Sequence, residues 1–169
     1  MTTGEPDKVV PLRGRAPIRQ TIVIRSDIEH TFTVFTRDIG RWWPTQPFSL
    51  GTGKVVDVRL DGRPGGRVYE LWADGTEVDW GEILVWEPPA RFAMTWTTLP
   101  VVTEVELHFR ALGPAVTRVE LEHRGWDRLS TEQLAAVVDM SAQYGGYEGG
   151  WTRILAELRT AAETIEESA

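Results

Sequence analysis

The sequence predicts an α+β fold in which an antiparallel meander is followed by a long amphipathic C-terminal helix. Three observations carry this expectation. Between Lys54 and His123, apolar residues recur with period two in six segments, separated by turns rich in Gly, Pro and Asp. Past Ser130 the period lengthens to that of a helix, and Tyr147, Trp151, Ile154, Leu155, Leu158 and Ala162 fall on one stripe. Finally, no internal repeat, low-complexity segment or composition shift divides the 169 residues. One domain over residues 18–165 is therefore expected, with a flexible lead-in at 1–17 and a short tail at 166–169.

The elements follow in order. Ile18–Arg25 alternates Ile18, Gln20, Ile22 and Ile24 against Arg19, Thr21, Val23 and Arg25, which reads as a strand. Ser26 and Glu29 have the spacing of a capping box, opening a helix with Ile28, Phe32, Phe35 and Ile39 on one face. His30 lies off that face and is expected at the surface. Arg41-Trp42-Trp43-Pro44 reads as a short second turn ended by proline. Strands are then expected at Lys54–Leu60, Arg67–Ala73, Glu77–Trp86, Arg91–Thr97, Thr103–Ala111 and Val116–His123. Asp74-Gly75 is a tight-hairpin signal between the second and third of these. A capped helix runs from Ser130 to about Met140, and a longer one begins near Ser141. Gly145, Gly146, Gly149 and Gly150 are unusual there, each costing up to about 1 kcal/mol relative to Ala in a helix interior. Either the helix starts after them, or the missing side chains leave space where it faces the sheet.

Composition removes several function classes. The net charge is −7, and the arginines are spread from Arg13 to Arg159 without a basic block, so no nucleic-acid partner is expected. With no cysteine, disulfides, thiol nucleophiles and Cys-type zinc sites are excluded. His30, His108 and His123 have no metal-pair spacing, so neither a metal nor a cofactor is expected. The N-terminus lacks a signal-peptide pattern and no apolar run nears the ~20 residues of a membrane span, so the expectation is a cytoplasmic protein without a membrane partner. Eight tryptophans are an unusual excess. Large flat side chains in such number either fill a core or wall a pocket for a flat or greasy ligand.

A family resemblance becomes specific at Arg63-Pro-Gly-Gly-Arg-Val-Tyr-Glu70, Asp74-Gly75, the run from Gly81 to Trp96, Glu120-Leu-Glu-His-Arg-Gly-Trp126 and Tyr144-Gly-Gly-Tyr-Glu-Gly-Gly-Trp151. In order and spacing, over roughly residues 18–165, these resemble the START-like (SRPBCC) superfamily. Within it they are similar to the branch of the C-terminal domain of the activator of Hsp90 ATPase. The resemblance implies a helix-grip fold: a curved antiparallel sheet wrapped around the last helix, two short helices after the first strand, and a cavity between sheet and helix. It does not by itself fix a function, because members of the superfamily bind lipids, hormones and polyketides, cyclise polyketides, or regulate an ATPase. The eukaryotic activator also has a separate N-terminal Hsp90-binding domain, for which this chain is expected to have no room.

If such a cavity exists, Trp42, Trp43, Trp72, Trp80, Trp96 and Trp151 are candidates for its wall or for simple core filling. Strand parity and the helix stripe turn Trp96 and Trp151 inward, and one of Trp72 and Trp80 is free to face solvent. Phe109, Tyr147 and Leu155 are further lining candidates from the inward strand face and the helix stripe. His123 shares a strand face with Val119 and Leu121. It is either a core histidine bonded to a neighbour or a group that holds a ligand's polar end or moves a proton. His108 should face away. Glu77, Asp79, Glu82, Glu104 and Glu106 fall mostly on the outer face, and Arg67, Tyr69 and Glu70 read as cross-strand partners. The leading expectation is a protein that binds a small hydrophobic or aromatic molecule. The alternative is an interaction module for a chaperone or ATPase, using an exposed Trp42-Trp43-Pro44 edge. A cyclase-type enzyme comes third, since no catalytic constellation demands it.

Overall fold

The computed structural model describes residues 15–165. Most of the expected lead-in and all of the tail at 166–169 lie outside the described residues; Arg15 donates a hydrogen bond to the Leu129 carbonyl. Seven strands are present: β1 (Ile18–Ile24), β2 (Val55–Leu60), β3 (Arg67–Trp72), β4 (Glu77–Glu87), β5 (Arg91–Trp96), β6 (Thr103–Gly113) and β7 (Val116–Arg124). Three α-helices accompany them: α1 (Ile28–Thr36), α2 (Thr131–Ser141) and α3 (Gly146–Thr164). All seven strands form one curled antiparallel sheet in the order β1-β7-β6-β5-β4-β3-β2. The meander β2 to β7 is made by short turns alone, and β1 closes its far edge by pairing with β7 from Ile18 against His123 to Ile24 against Thr117. This is the helix-grip arrangement.

Period two decides which side chains meet α3. Phe92, Met94 and Trp96 of β5, Val105, Leu107 and Phe109 of β6, and Val119, Leu121 and His123 of β7 are all buried. From α3, the stripe Trp151, Ile154, Leu155, Leu158, Ala161 and Ala162 packs against them. Phe32 and Phe35 of α1 complete this core, in contact with Phe92 and Phe109.

Three local expectations are corrected. The cap of α1 is Asp27 rather than Ser26: its Oδ1 accepts the His30 backbone N–H at 2.7 Å. Ser26 is drawn back toward the sheet, its N–H bonded to the Ile24 carbonyl and its own carbonyl accepting from Thr117 Oγ1. His30 is buried rather than exposed, because α3 crosses α1 and the His30 Nε2 meets the Ala162 carbonyl at 3.2 Å. Trp42 and Trp43 do not form an exposed edge. The 3-10 turn Ile39–Arg41 folds them into the core, each only 7% exposed.

The glycines before Trp151 have definite tasks. Gly145 and Gly146 both take positive φ (+83° and +84°), a region costly for other residues, and they break the chain between the turn Ala142–Tyr144 and α3. The long helix therefore begins at Gly146 rather than Ser141. The break turns the Tyr144 carbonyl over the first turn of α3, where a Cβ on Gly149 would stand only 1.8 Å from it. A Cβ on Gly150 would stand 3.3 Å from the Phe48 ring. The missing side chains thus make space for a carbonyl and an aromatic edge.

Gly149→Ala is accordingly expected to destabilise the protein by roughly 1–3 kcal/mol, since overpacking against backbone outweighs the ~1 kcal/mol helix-propensity gain. Gly53→Ala, whose added Cβ would meet no atom nearer than 3.5 Å, should stay within about 0.5 kcal/mol. Urea denaturation of the two variants checks this.

Candidate ligand-binding cavity

Four tryptophans from four different elements converge under α3. Trp43 arrives from the turn after α1, Trp80 from β4, Trp96 from β5 and Trp151 from α3. Their ring centroids lie 4.9 Å (Trp43–Trp80), 5.2 Å (Trp96–Trp151), 6.0 Å (Trp80–Trp96) and 6.0 Å (Trp43–Trp151) apart. Beside them is a cavity of about 260 Å³. Its outer wall is the loop Pro47-Phe48-Ser49-Leu50, with Thr98 and Leu99 after β5 at one side. Met140, Ser141, Gln143 and Tyr144 close the other, together with Tyr147, Gly150 and Ile154 from the first turns of α3. Leu50 and Met140 are half-exposed and mark the mouth. Among the described residues, no Asp, Glu, Lys, Arg or His lines it.

The N–H groups of the four indoles are all spent on acceptors of the protein itself. Trp43 Nε1 donates to the Phe48 carbonyl at 2.7 Å, and Trp80 Nε1 to Glu70 Oε1 at 2.6 Å. Trp96 Nε1 donates to the Tyr147 hydroxyl at 2.8 Å, and Trp151 Nε1 to His123 Nδ1 at 3.1 Å. A buried N–H without a partner costs about 1–3 kcal/mol, so these bonds hold each ring in one orientation. What these four indoles present to the cavity is ring face and edge.

Glu70 is the hub that sequence reading missed. Its side chain is fully buried and accepts four hydrogen bonds: from Trp80 and Trp72 indoles, and from the backbone N–H groups of Leu50 and Gly51. Burial alone would push its pKa up. The four donors outweigh that and hold it below the usual carboxylate range. One carboxylate thereby ties β3, β4 and the cavity loop together. The signal lay in strand parity: Glu70 shares a face with Val68, which is buried.

His123 is fully buried one layer behind the wall. Because Nδ1 accepts the Trp151 indole, the ring is the tautomer protonated on Nε2, which donates to Thr103 Oγ1 at 2.8 Å. Thr103 passes its own hydrogen to the Trp96 carbonyl. Burial pushes the imidazole pKa down to about 3. With both nitrogens engaged and no exposure, it positions Trp151 and does not face the cavity.

Of the ten lining candidates, the structure thus brings Trp43, Trp80, Trp96, Tyr147 and Trp151 to the cavity. Trp42 is buried beside it with its indole on the Val34 carbonyl, and Phe109 packs against Phe32 and Phe35. Leu155 lies on the α3 stripe beyond the cavity. Trp72 is half-exposed, with Lys54 over its ring. Trp126, which strand parity does not address, packs on His123 and Tyr147. Phe48, Leu50, Leu99 and Tyr144 were also missed, because they sit in connections without periodicity. On the outer sheet face, Arg67 pairs with Glu77 and Asp79, while Arg124 bridges Glu104 and Glu106. His108 is exposed there beside Glu106. Among the described residues no three His, Asp or Glu side chains gather as a metal site, and no helix is long and apolar enough to cross a membrane.

Residues 25–163 match the family model described as activator of Hsp90 ATPase homolog 1-like protein. The chain belongs to this family. No curated protein matches it. Among solved structures, it is similar to the anthrahydroquino-gamma-pyrone synthase Txn09, with 38% identity over 66% of this chain and 78% of that one and a TM-score of 0.50. The self-sacrificing resistance protein CalC from Micromonospora echinospora shares the fold at 24% identity, covering 92% of this chain and 99% of that one, with a TM-score of 0.63. A protein from Nitrosomonas europaea does so at 17% identity, covering 86% and 93%, with a TM-score of 0.60.

Two outcomes test this activator-family site. Glu70→Gln leaves two indoles and two backbone N–H groups around an amide that cannot accept them all. It is expected to cost about 3 kcal/mol or more in urea denaturation and to raise hydrogen exchange at Leu50 and Gly51. For His123, the unfolded chain gains a proton below about pH 6.5 while the folded state does not, so stability falls as pH drops from there toward 3. Between pH 7.5 and 5.0 the contribution of His123 is a loss of about 2 kcal/mol. A His123→Gln variant, measured at both pH values, should lack that part of the difference.

Proposed function

We propose that this protein binds a small, uncharged, flat apolar or aromatic molecule in the cavity beneath α3. The observation that carries this reading is the orientation of the four indoles. Their N–H groups are all engaged by protein acceptors, so these rings offer a ligand stacking and edge contacts. The absence of a charged residue in the lining argues against a carboxylate or phosphate ligand, because a buried charge without a partner is strongly unfavourable. Size bounds it further. A dry cavity of roughly 150 Å³ takes one benzene ring, so about 260 Å³ suits roughly two fused rings, with larger molecules extending through the mouth at Leu50 and Met140. The 38% identity to a synthase named for a fused aromatic product supports the same ligand class.

A catalytic role is the second reading, and that same synthase is the observation in its favour. The titratable groups in the lining are the phenols of Tyr144 and Tyr147, so proton transfer by the protein itself would run through a phenol. The interaction-module reading loses its candidate surface, since Trp42 and Trp43 are internal.

Tryptophan fluorescence during titration with naphthol and, separately, with naphthoate tests the proposal. Saturable quenching by naphthol is expected, several-fold weaker in affinity for Trp96→Phe and Trp151→Phe, with little or no response to naphthoate. Equal binding of the anion, or quenching indifferent to both variants, would contradict it.

A further inference from the structure

The lining of the cavity is almost entirely committed. The Ser49 hydroxyl donates to the Thr45 carbonyl and the Ser141 hydroxyl to the Val137 carbonyl, and the four indole N–H groups are spent as described. Gln143 is exposed at the surface. Tyr147 differs from all of these. It stands one turn before Trp151 on α3, its ring wedged between Trp126 at 5.1 Å and His123 at 5.5 Å. Its oxygen accepts the Trp96 indole at 2.8 Å. In both of its hydrogen bonds, with the Trp96 indole and with the Thr98 hydroxyl, that oxygen is the acceptor, which leaves the phenol's own hydrogen for another partner. Thr98, a second hydroxyl of the lining, lies next to it.

We infer that the Tyr147 phenol is the polar anchor of the cavity, donating a hydrogen bond to an acceptor oxygen on one edge of a neutral aromatic ligand. This rests on the cavity being the ligand site. The geometry favours a donor role because the Trp96 indole and the Thr98 hydroxyl both act on the phenol oxygen as donors, so the hydrogen is what it has left to offer. Burial raises the phenol's pKa, so the proton stays on at neutral pH. The ligand class follows: fused aromatic ketones, quinones, pyrones or phenols, with the oxygen at the deep edge toward Tyr147 and Thr98 and any further substituents toward Leu50 and Met140. Tyr144, also a lining phenol, packs on Phe48 and under Arg153 in the connection before α3, and no indole orients its hydroxyl.

The test uses two probes of nearly equal shape, acetylnaphthalene and ethylnaphthalene, which differ in one carbonyl oxygen. Wild-type protein is expected to bind acetylnaphthalene about tenfold more tightly, the value of one hydrogen bond of roughly 1.4 kcal/mol. Tyr147→Phe should abolish that preference while Tyr144→Phe keeps it. Any distortion from leaving the Trp96 indole unpartnered lowers both affinities and cancels in their ratio. In the wild-type protein, the infrared carbonyl band of bound acetylnaphthalene should shift to lower frequency relative to its position in hexane. Binding of both probes with no preference, an unshifted carbonyl, or a preference removed by Tyr144→Phe instead would overturn the anchor and leave the ligand site standing. Failure of both probes to bind would overturn the ligand site and the anchor together.

Discussion

An indole N–H cannot be buried without an acceptor, and most of this interior follows from that constraint. Four tryptophans meet beneath α3, each needing a partner worth about 1–3 kcal/mol if left unmade. The chain supplies a backbone carbonyl at Phe48, a carboxylate at Glu70, a hydroxyl at Tyr147 and an imidazole at His123. Two of them, Glu70 and His123, stand outside the cavity lining, while Phe48 and Tyr147 belong to the lining itself. The result is a surface of aromatic carbon built from residues that each carry a polar atom.

The acceptors also link elements that backbone pairing leaves apart. Trp96 is on β5 and Tyr147 on α3, so their bond spans sheet and helix. Trp151 on α3 reaches His123 on β7, and His123 continues through Thr103 on β6 to the Trp96 carbonyl. Glu70 does the same on the other side, drawing the Leu50–Gly51 loop onto β3 and β4. The loop has no strand or helix of its own to hold it in place as a wall. A low pKa suits this role, because the carboxylate must stay ionised to accept four donors at once. Preorganisation of this kind removes part of the ordering cost of binding.

How much of this was legible in the sequence differs by level. Alternation from Val105 to Phe109 and from Val119 to His123, with the stripe from Trp151 to Leu158, was enough for the sheet, the helix and the face each turns inward. Trp96 and Trp151 reach the cavity for that reason. Parity also turned His123 inward, but only the fold could show that both its nitrogens are used. Elements without periodicity were opaque. Phe48 and Leu50 lie in a loop whose path depends on Glu70, and Glu70 itself reads as an ordinary strand carboxylate until Trp72, Trp80 and the loop are seen around it. His30 differs: the apolar face of α1 is legible in its sequence, but α3 covers a second side that a single-helix pattern cannot contain. The glycines from Gly145 to Gly150 stand out in the sequence as costly, and the reason, a carbonyl and a ring in the vacated space, is a tertiary contact.

The most direct test of the central claim is an NMR titration of protein labelled with nitrogen-15 in tryptophan, using naphthol and following the indole N–H signals. The account predicts that Trp43, Trp80, Trp96 and Trp151 indoles are protected from solvent exchange before ligand is added. Their signals should then shift together and saturate with the ligand, and stay protected. Rapid exchange of these N–H groups in the free protein, or shifts confined to the half-exposed Trp72 and Trp86, would contradict it.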